Sequence, residues 1–380
     1  MWQDKLSGRL LTAAVFIVGI LVFLALPLLP GRPNLPVIRP VIRPVATPVG
    51  TPVRPVITPV ATPHPAPEPS EHFIVAFGDS YSRSGFAMNY TYTRTGPGMH
   101  DMHRTQRPNN KLFNAPSAEN PIGNPALPGK TSSGGPNWAM YMATEFNTTL
   151  TLAYIFARSA AVVDAEVIPT RSKSTFTFAQ QIVHFKDTIG HRPYYAPWTA
   201  KSMVAVVWFG FNDLSRVFHK QDQDRLLEEA NRRIFELSQI LYDTGVRNFI
   251  FIEVPRKKTL LSPVLSDKYA AKQVFPSPQA KKSHDTNHEY EMFSYAVNLW
   301  NSFLRKNTAL FQKTHADAKV SYVEVWDIFY RAFLQPQSLG IQNSTCVDPR
   351  GKDCLWTNTA HPGQKIHQLI GARVAEAAWG

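Results

Sequence analysis

Cysteine, acidic residues and cofactor signatures are what this 380-residue sequence is short of. Its two cysteines, Cys346 and Cys354, share one short loop, CVDPRGKDC. No further Cys or His lies in that loop, so a disulfide formed in an oxidising compartment fits better than a metal site. No phosphate-binding glycine loop, dinucleotide fingerprint or metal-ligand cluster occurs, and no cofactor or metal is implied. Asp and Glu number 28 against 40 Lys and Arg, a formal net charge of +12. Such a balance suits acidic glycans or a membrane surface. The basic residues are dispersed and no nucleic-acid module is visible, so no nucleic-acid partner is expected.

Charge is missing altogether from Leu10 to Leu29, LLTAAVFIVGILVFLALPLL. About twenty apolar residues at helical rise span the roughly 30 Å hydrocarbon core of a bilayer. The run is longer than the apolar region of a signal peptide, and no clear small-x-small cleavage site follows it. An uncleaved signal anchor (10–29) behind a short cytoplasmic tail (1–9) is the expectation, with secretion after cleavage as the alternative. Flanking charge does not set the orientation, because Lys5 and Arg9 precede the run while Arg32, Arg39, Arg43 and Arg54 follow it. Acceptor sequons at Asn89, Asn147 and Asn343, together with the cysteine pair, favour a single-pass type II membrane protein whose large domain is lumenal or extracellular. Residues 30–70 repeat PVIR, PVAT and PVGT. Proline removes amide donors and fixes φ, so this stretch is expected to be a disordered, polyproline II-like stalk. Thr47, Thr51, Thr58 and Thr62 lie beside its prolines, as in O-glycosylated stalks.

From Glu71 to Gly380 short apolar runs alternate with amphipathic segments, the order of a sheet flanked by helices. Five strands are predicted, at Phe73–Phe77, Thr151–Phe156, Met203–Phe209, Asn248–Val254 and Val320–Val325. Continuous β-branched and aromatic runs of this kind mark strands buried on both faces, hence a mainly parallel sheet. Leu226, Ala230, Ile234, Leu237 and Leu241 recur at helical spacing before a stop at Gly245. Phe293, Val297, Trp300 and Leu304 repeat the pattern, and a last helix is expected from about Gly363.

Chemistry-bearing residues collect at the strand ends. The first strand runs into GDS, which puts Ser80 at a strand-to-helix turn where its own amide can bind an oxyanion. The third ends in FGFND, with Gly210 and Asn212 at the same sheet edge and an uncharged amide able to donate to a developing oxyanion. His361 stands before the last helix in LWTNTAHPG. Taken singly, these residues read as helix caps and a surface histidine. Trp138, Trp208 and Trp356 are candidates for stacking on a sugar; Trp208 lies inside a strand and suits the core, leaving Trp138 and Trp356.

The three elements in this order resemble the SGNH, or GDSL, esterase and lipase family over residues 72–380. NPIGNPALPGKTSSGGPNW, FGFND, IEVPRKKTLLSP and LWTNTAHPG are most similar to the fungal acetylesterases of the sixteenth carbohydrate esterase family. The resemblance implies a flavodoxin-like three-layer α/β sandwich with a five-stranded sheet. It implies a probe-reactive serine esterase, monomeric, that removes O-acetyl or other short acyl groups, on carbohydrate or a small ester, through an acyl-enzyme. Ser80 would be the nucleophile and His361 the base. Asn358 would stand where the family's aspartate precedes the histidine by three residues. The oxyanion donors would be Ser80, Asn212 with Gly210 beside it, and Ala160 in place of a glycine. Two departures follow. Asparagine offers no full charge to an imidazolium, and in a serine-protease template the Asp-to-Asn change costs about 10⁴ in turnover through the wrong tautomer. Alanine is strained if its turn needs positive φ. A catalytically weak or inactive glycan-binding protein and a lumenal O-acyltransferase are the alternatives on the same fold.

Overall fold

The computed structural model describes residues 69–86, 92–94, 102–104, 115–172, 174–255, 286–344, 346–358 and 360–380. The expected tail, anchor, nearly all of the stalk, the Asn89 acceptor and the segment beyond Pro255 in IEVPRKKTLLSP lie outside these residues. Among the described residues no helix is long and apolar enough to cross a membrane.

The domain is built on strand β1 (Glu71–Gly78), followed by a short antiparallel pair, β2 (Tyr92–Arg94) with β3 (Met102–Arg104). Strands β4 (Leu150–Ile155), β5 (Met203–Trp208), β6 (Asn248–Ile252) and β7 (Lys319–Val323) join β1 in a five-stranded sheet of order β4-β1-β5-β6-β7. Every pairing in it is parallel. Each predicted strand is present, displaced by no more than two residues at either end. β1, β5 and β6 are buried along essentially their whole length, while the edge strand β7 is half-exposed. Runs such as MVAVVW have no polar face, and only helices on both sides of the sheet can take them out of water.

Those helices fall into two layers. Helix α1 (Trp138–Thr144) packs on the chain-terminal helix α7 (Gln364–Trp379), which also meets α6 (Trp326–Leu334). On the other face lie α2 (Phe178–Thr188), α3 (Phe211–Val217), α4 (Gln223–Thr244) and α5 (Thr286–Thr314). The fold is therefore the expected three-layer α/β sandwich. Helix α4 buries Leu226, Leu227, Ile234, Leu237 and Leu241, each worth about 1.5–3 kcal/mol relative to exposure. It stops at Gly245, whose φ of 109° is a conformation glycine tolerates. Helix α2 starts at a capping box, in which Thr177 accepts from the Gln180 backbone and the Gln180 side chain bonds back.

Sheet order decides where a ligand can sit. In sequence order the strands read 2-1-3-4-5, so the direction of chain progression reverses between β1 and β5. A crevice forms outside the carboxyl ends of the strands at such a switch point. Register makes the two strand ends level there, with Gly78 opposite Trp208.

Candidate active site

Ser80 follows β1 by two residues and its turn is held from several directions. The Asp79 carbonyl accepts from the backbone N–H groups of Ser82 (3.1 Å) and Arg83 (3.0 Å), and Asp79 Oδ1 accepts from Tyr81 N–H at 2.9 Å. Buried Gln181 of α2 clamps the strand end, accepting from Gly78 N–H at 3.0 Å and donating to the Gly78 carbonyl at 2.8 Å. The Ser80 turn is thus tied to helix α2, where movement would strand buried polar groups.

Asn212 sits at the carboxyl end of β5, in the first turn of α3. Its Nδ2 donates to Asp79 Oδ2 at 3.0 Å. An amide nitrogen has two hydrogens, and Asn212 lines the cavity beside Ser80. The second N–H can serve a ligand oxygen there. Gly210 does not line this cavity, contrary to expectation. Its φ is 125°, and a Cβ on it would lie 2.5 Å from Trp300 Nε1. Gly210 shapes the turn that presents Asn212 and is not itself a donor to the cavity.

Ala160 does line the cavity, and its φ is 60°. The turn has the left-handed conformation that glycine adopts freely, and an L-residue there carries roughly 1–2 kcal/mol of strain. Arg158, two residues earlier, lies with its guanidinium 5.8 Å from the centre of the Phe176 ring.

His361 is delivered by a tight loop between the disulfide and α7. Cys346 and Cys354 are bonded to each other, as their shared loop suggested. Thr357 N–H donates to the His361 carbonyl at 2.9 Å and Gly363 N–H to the Leu355 carbonyl at 2.8 Å, which closes the loop on itself. Tyr81 joins this loop to the nucleophile turn: its hydroxyl donates to the Ala360 carbonyl at 2.6 Å and its ring packs on Trp208, Phe211 and His361. Burial, and then the charge of Asp79, raise the Tyr81 phenol well above its ordinary pKa, so it remains a donor.

The reactive contacts form one chain. His361 Nε2 lies 2.8 Å from Ser80 Oγ, and His361 Nδ1 lies 2.9 Å from Asn358 Oδ1. Which tautomer this fixes follows from two further bonds. Asn358 Oδ1 also accepts from the backbone N–H groups of Ala360 (2.9 Å) and His361 (3.1 Å). Only the amide oxygen can accept, so the backbone turns Oδ1, not the NH₂ group, toward the imidazole. Nδ1 then carries the proton, and Nε2 is left to accept from the serine hydroxyl. The tautomer that an isolated Asp-to-Asn replacement endangers is here set by the loop backbone.

Other sequence candidates lie elsewhere. Trp138 and Trp356, expected as sugar platforms, are both buried and line no part of the cavity. Trp138 opens α1 and its indole N–H donates to Ser82 Oγ at 3.0 Å; Trp356 donates to the Ser344 carbonyl at 3.1 Å. Each indole polar atom finds a protein partner, so the core accepts the ring. Trp208 is likewise core, donating to the Glu253 carbonyl. Asp348 organises the disulfide loop and is not a substitute for the missing acid. Burial alone would raise its carboxyl, but backbone N–H groups of Arg350, Lys352 and Asp353 and the Arg350 side chain outweigh that and hold it at about 2. Asp164 pairs with Arg233 of α4 at 2.9 Å. Asn147 and Asn343 are partly exposed, and each makes a local hydrogen bond to the chain within three residues.

Ser80, Ala160, Asn212, Asn358 and His361 share one open cavity of about 1120 Å³. No group of three or more His, Cys, Asp or Glu able to hold a metal occurs among the described residues. A serine hydroxyl in contact with an imidazole, in a cavity that backbone and side-chain amides also line, is an arrangement able to support acyl transfer. Tyr81, Gln181 and the bond that Asn212 donates to Asp79 act through contacts that spacing in the sequence does not reveal.

A family model described as GDSL-like Lipase/Acylhydrolase matches residues 74–374. An acetylesterase of Thermothelomyces thermophilus is 33% identical over 308 residues, covering 81% of this chain and 88% of that protein. Among solved structures, a catalytic mutant of an acetylxylan esterase from Geobacillus stearothermophilus overlaps at a TM-score of 0.40, with 9% identity over 81% of this chain and 94% of that one. A lipolytic protein of the G-D-S-L family from Veillonella parvula gives a TM-score of 0.37, with 8% identity over 80% and 97%.

Proposed function

The chain belongs to the GDSL-like lipase/acylhydrolase family, and from that premise we propose that it is a serine esterase that removes acetyl groups from a carbohydrate through an acyl-enzyme. The observation that carries the proposal is the unbroken contact from Ser80 Oγ to His361 Nε2 (2.8 Å) and from His361 Nδ1 to Asn358 Oδ1 (2.9 Å).

In this mechanism Ser80 Oγ attacks the acetyl carbonyl carbon as His361 Nε2 takes the hydroxyl proton. The carbonyl oxygen becomes an oxyanion facing the Ser80 and Ala160 backbone N–H groups and the second N–H of Asn212. Preorganised donors of this kind are worth roughly 10²–10³ in rate each. Collapse breaks the bond to the alkoxy oxygen, which leaves with the proton from His361. Water, deprotonated by the same Nε2, then attacks the acetyl-serine and releases acetate. Asn358 orients the ring and holds its tautomer, and it offers the imidazolium formed in each step a neutral amide oxygen. The relative of Thermothelomyces thermophilus is named an acetylesterase, which supports the acyl group. The cavity supports the carbohydrate: it is wide for a small ester and carries hydroxyls of Thr131, Ser132, Thr170 and Ser215 on its walls.

The full chain should hydrolyse an aryl acetate and be labelled stoichiometrically by an organophosphonate, whereas Ser80→Ala and His361→Ala should lose at least about 10³ in kcat/KM. Equal rates in all three proteins would sink the proposal. The proposal extends to the setting: residues 10–29 anchor the chain and the enzyme faces an oxidising lumen, in keeping with the Cys346–Cys354 bond. Alkaline extraction of membranes tests the anchor, since an anchored chain stays in the pellet.

A further inference from the structure

The walls of the cavity carry a strong bias of charge. Arg83, Arg171, Arg216 and Lys220 line it together with Ser80 and His361, and no Asp or Glu does so among the described residues. From this we infer that, on the esterase reading above, the substrate is an acetylated sugar that also bears an anionic group, a carboxylate or a phosphate.

The four cations reach the cavity from the nucleophile turn, the loop after β4, helix α3 and the residues just beyond it. Seven other arginines, at 225, 232, 233, 247, 305, 350 and 373, hold Asp or Glu partners. The cavity arginines are bonded differently. Arg83 donates from Nε to Ser132 Oγ at 3.2 Å and from Nη2 to the Thr131 carbonyl at 3.4 Å. Neutral acceptors fix its direction, and among the described residues no Asp or Glu pairs with it. Arg216 is half-buried, with Nε enclosed and without a hydrogen-bond partner. Burial, and then the nearby charge of Arg171, lower its pKa, against a smaller opposing effect from buried Asp213.

Arg171 and Arg216 line one concave cavity and the charge of the first acts on the second; like charges repel, and an anion bound beside them relieves that repulsion. Guanidinium groups match planar carboxylates and phosphates with two parallel N–H bonds, and such charge-assisted bonds are about twice as strong as neutral ones. The cavity is concave and shared with the candidate nucleophile, so the anion it fits belongs to the molecule being deacylated. A flat membrane or nucleic-acid surface would meet exposed faces instead.

The test uses the full chain and three substrates that differ at one position: an acetylated methyl glucuronide, its neutral carboxamide and the corresponding acetylated glucoside 6-phosphate. At low ionic strength one or both anions should exceed the carboxamide in kcat/KM by at least about tenfold, mainly through KM. The gap should narrow in about 0.5 M salt, where the Debye length falls to a few Å. In an Arg171→Gln, Arg216→Gln double variant the ratio should fall to within about twofold of one. The ranking of the two anions names the source of the charge. Binding of the same three compounds to Ser80→Ala separates the two claims. If anions bind more tightly but the wild type turns nothing over, the esterase reading fails and the anion site stands. Indifference to the anion in both turnover and binding overturns this inference and leaves the esterase reading intact.

Discussion

Replacing Asn358 with aspartate isolates what charge contributes at this site. The amide oxygen accepts three N–H bonds, from Ala360, His361 and the imidazole Nδ1. A carboxylate oxygen can accept the same three, so Asn358→Asp keeps the geometry and adds one negative charge about 4 Å from the imidazolium centre. Coulomb attraction at that distance is about 1 kcal/mol in water and about 4 kcal/mol at an effective dielectric of 20. Asn358 is exposed, which places the gain nearer the lower figure, roughly 5- to 50-fold in kcat. If the tautomer rather than the charge were limiting, restoring the acid would recover nearer 10⁴, as in the protease template. Steady-state kinetics of the full chain on an aryl acetate, with melting temperature as the check on folding, distinguish these. A gain near 10⁴ would refute the claim that the loop backbone already sets the tautomer. No gain would mean that imidazolium formation does not limit the rate. Asn358→Ala, which removes all three acceptor bonds, should lower kcat by about 10²-fold.

Three more substitutions probe the supports of the site. Asp79→Asn sets an NH₂ group against Asn212 Nδ2, in place of the carboxylate oxygen now 3.0 Å away; if Asn212 turns its oxygen to the cavity, kcat should fall about 10²–10³-fold, and an unchanged kcat would refute its oxyanion role. Ala160→Gly relieves the strain at φ 60° but adds chain entropy, for a net stabilisation of about 0.5–1 kcal/mol, read by chemical denaturation; destabilisation would refute the strain. Asp213 is the pH-sensitive position: burial raises its carboxyl from 3.8 to about 7, against opposing bonds from Val163, its own backbone and Gly210 and the charge of Arg216. Between those values the native state holds a proton that the unfolded chain releases, so the group's contribution to stability falls as pH rises from 4 to 7. Asp213→Asn should therefore gain on the wild type across that interval, by up to on the order of 4 kcal/mol, and then run parallel; parallel curves throughout would refute the raised value.

The legible parts of the fold are those where one physical rule acts alone. Met203–Trp208 reads as a buried strand because six apolar residues leave no polar face, and α4 reads as a helix because its apolar spacing and Gly245 agree. Ser80, Asn212 and His361 were legible because a parallel sheet brings its strand ends to one edge. Trp138 and Trp356 misled because adjacency to a motif in sequence says nothing about which way an indole turns. In each case a nearby acceptor, Ser82 Oγ or the Ser344 carbonyl, lets the ring enter the core. Tyr81 and Ala360 stand 279 residues apart, and no spacing rule connects them. Nor does any rule gather Arg83, Arg171, Arg216 and Lys220; in sequence they are part of a dispersed basic background.

An asparagine amide offers both a donor and an acceptor, and this site uses one of each. Asn212 and Asn358 are chemically identical, yet the first is arranged to give hydrogen bonds and the second to receive them. What sets the polarity is the neighbour. The Asp79 carboxylate can only accept, so it draws the Asn212 nitrogen toward itself and leaves that group's other N–H available to the cavity that Asn212 lines with Ser80. The Ala360 and His361 backbone N–H groups can only donate, so they draw the Asn358 oxygen and present it to Nδ1. A carboxylate in place of either amide has different consequences: at 358 it preserves the polarity, and at 212 its one negative charge would oppose both Asp79 and the oxyanion of the proposed mechanism. Only one of the two positions can therefore become an acid and keep the chemistry, and it is the one where the family pattern has an aspartate.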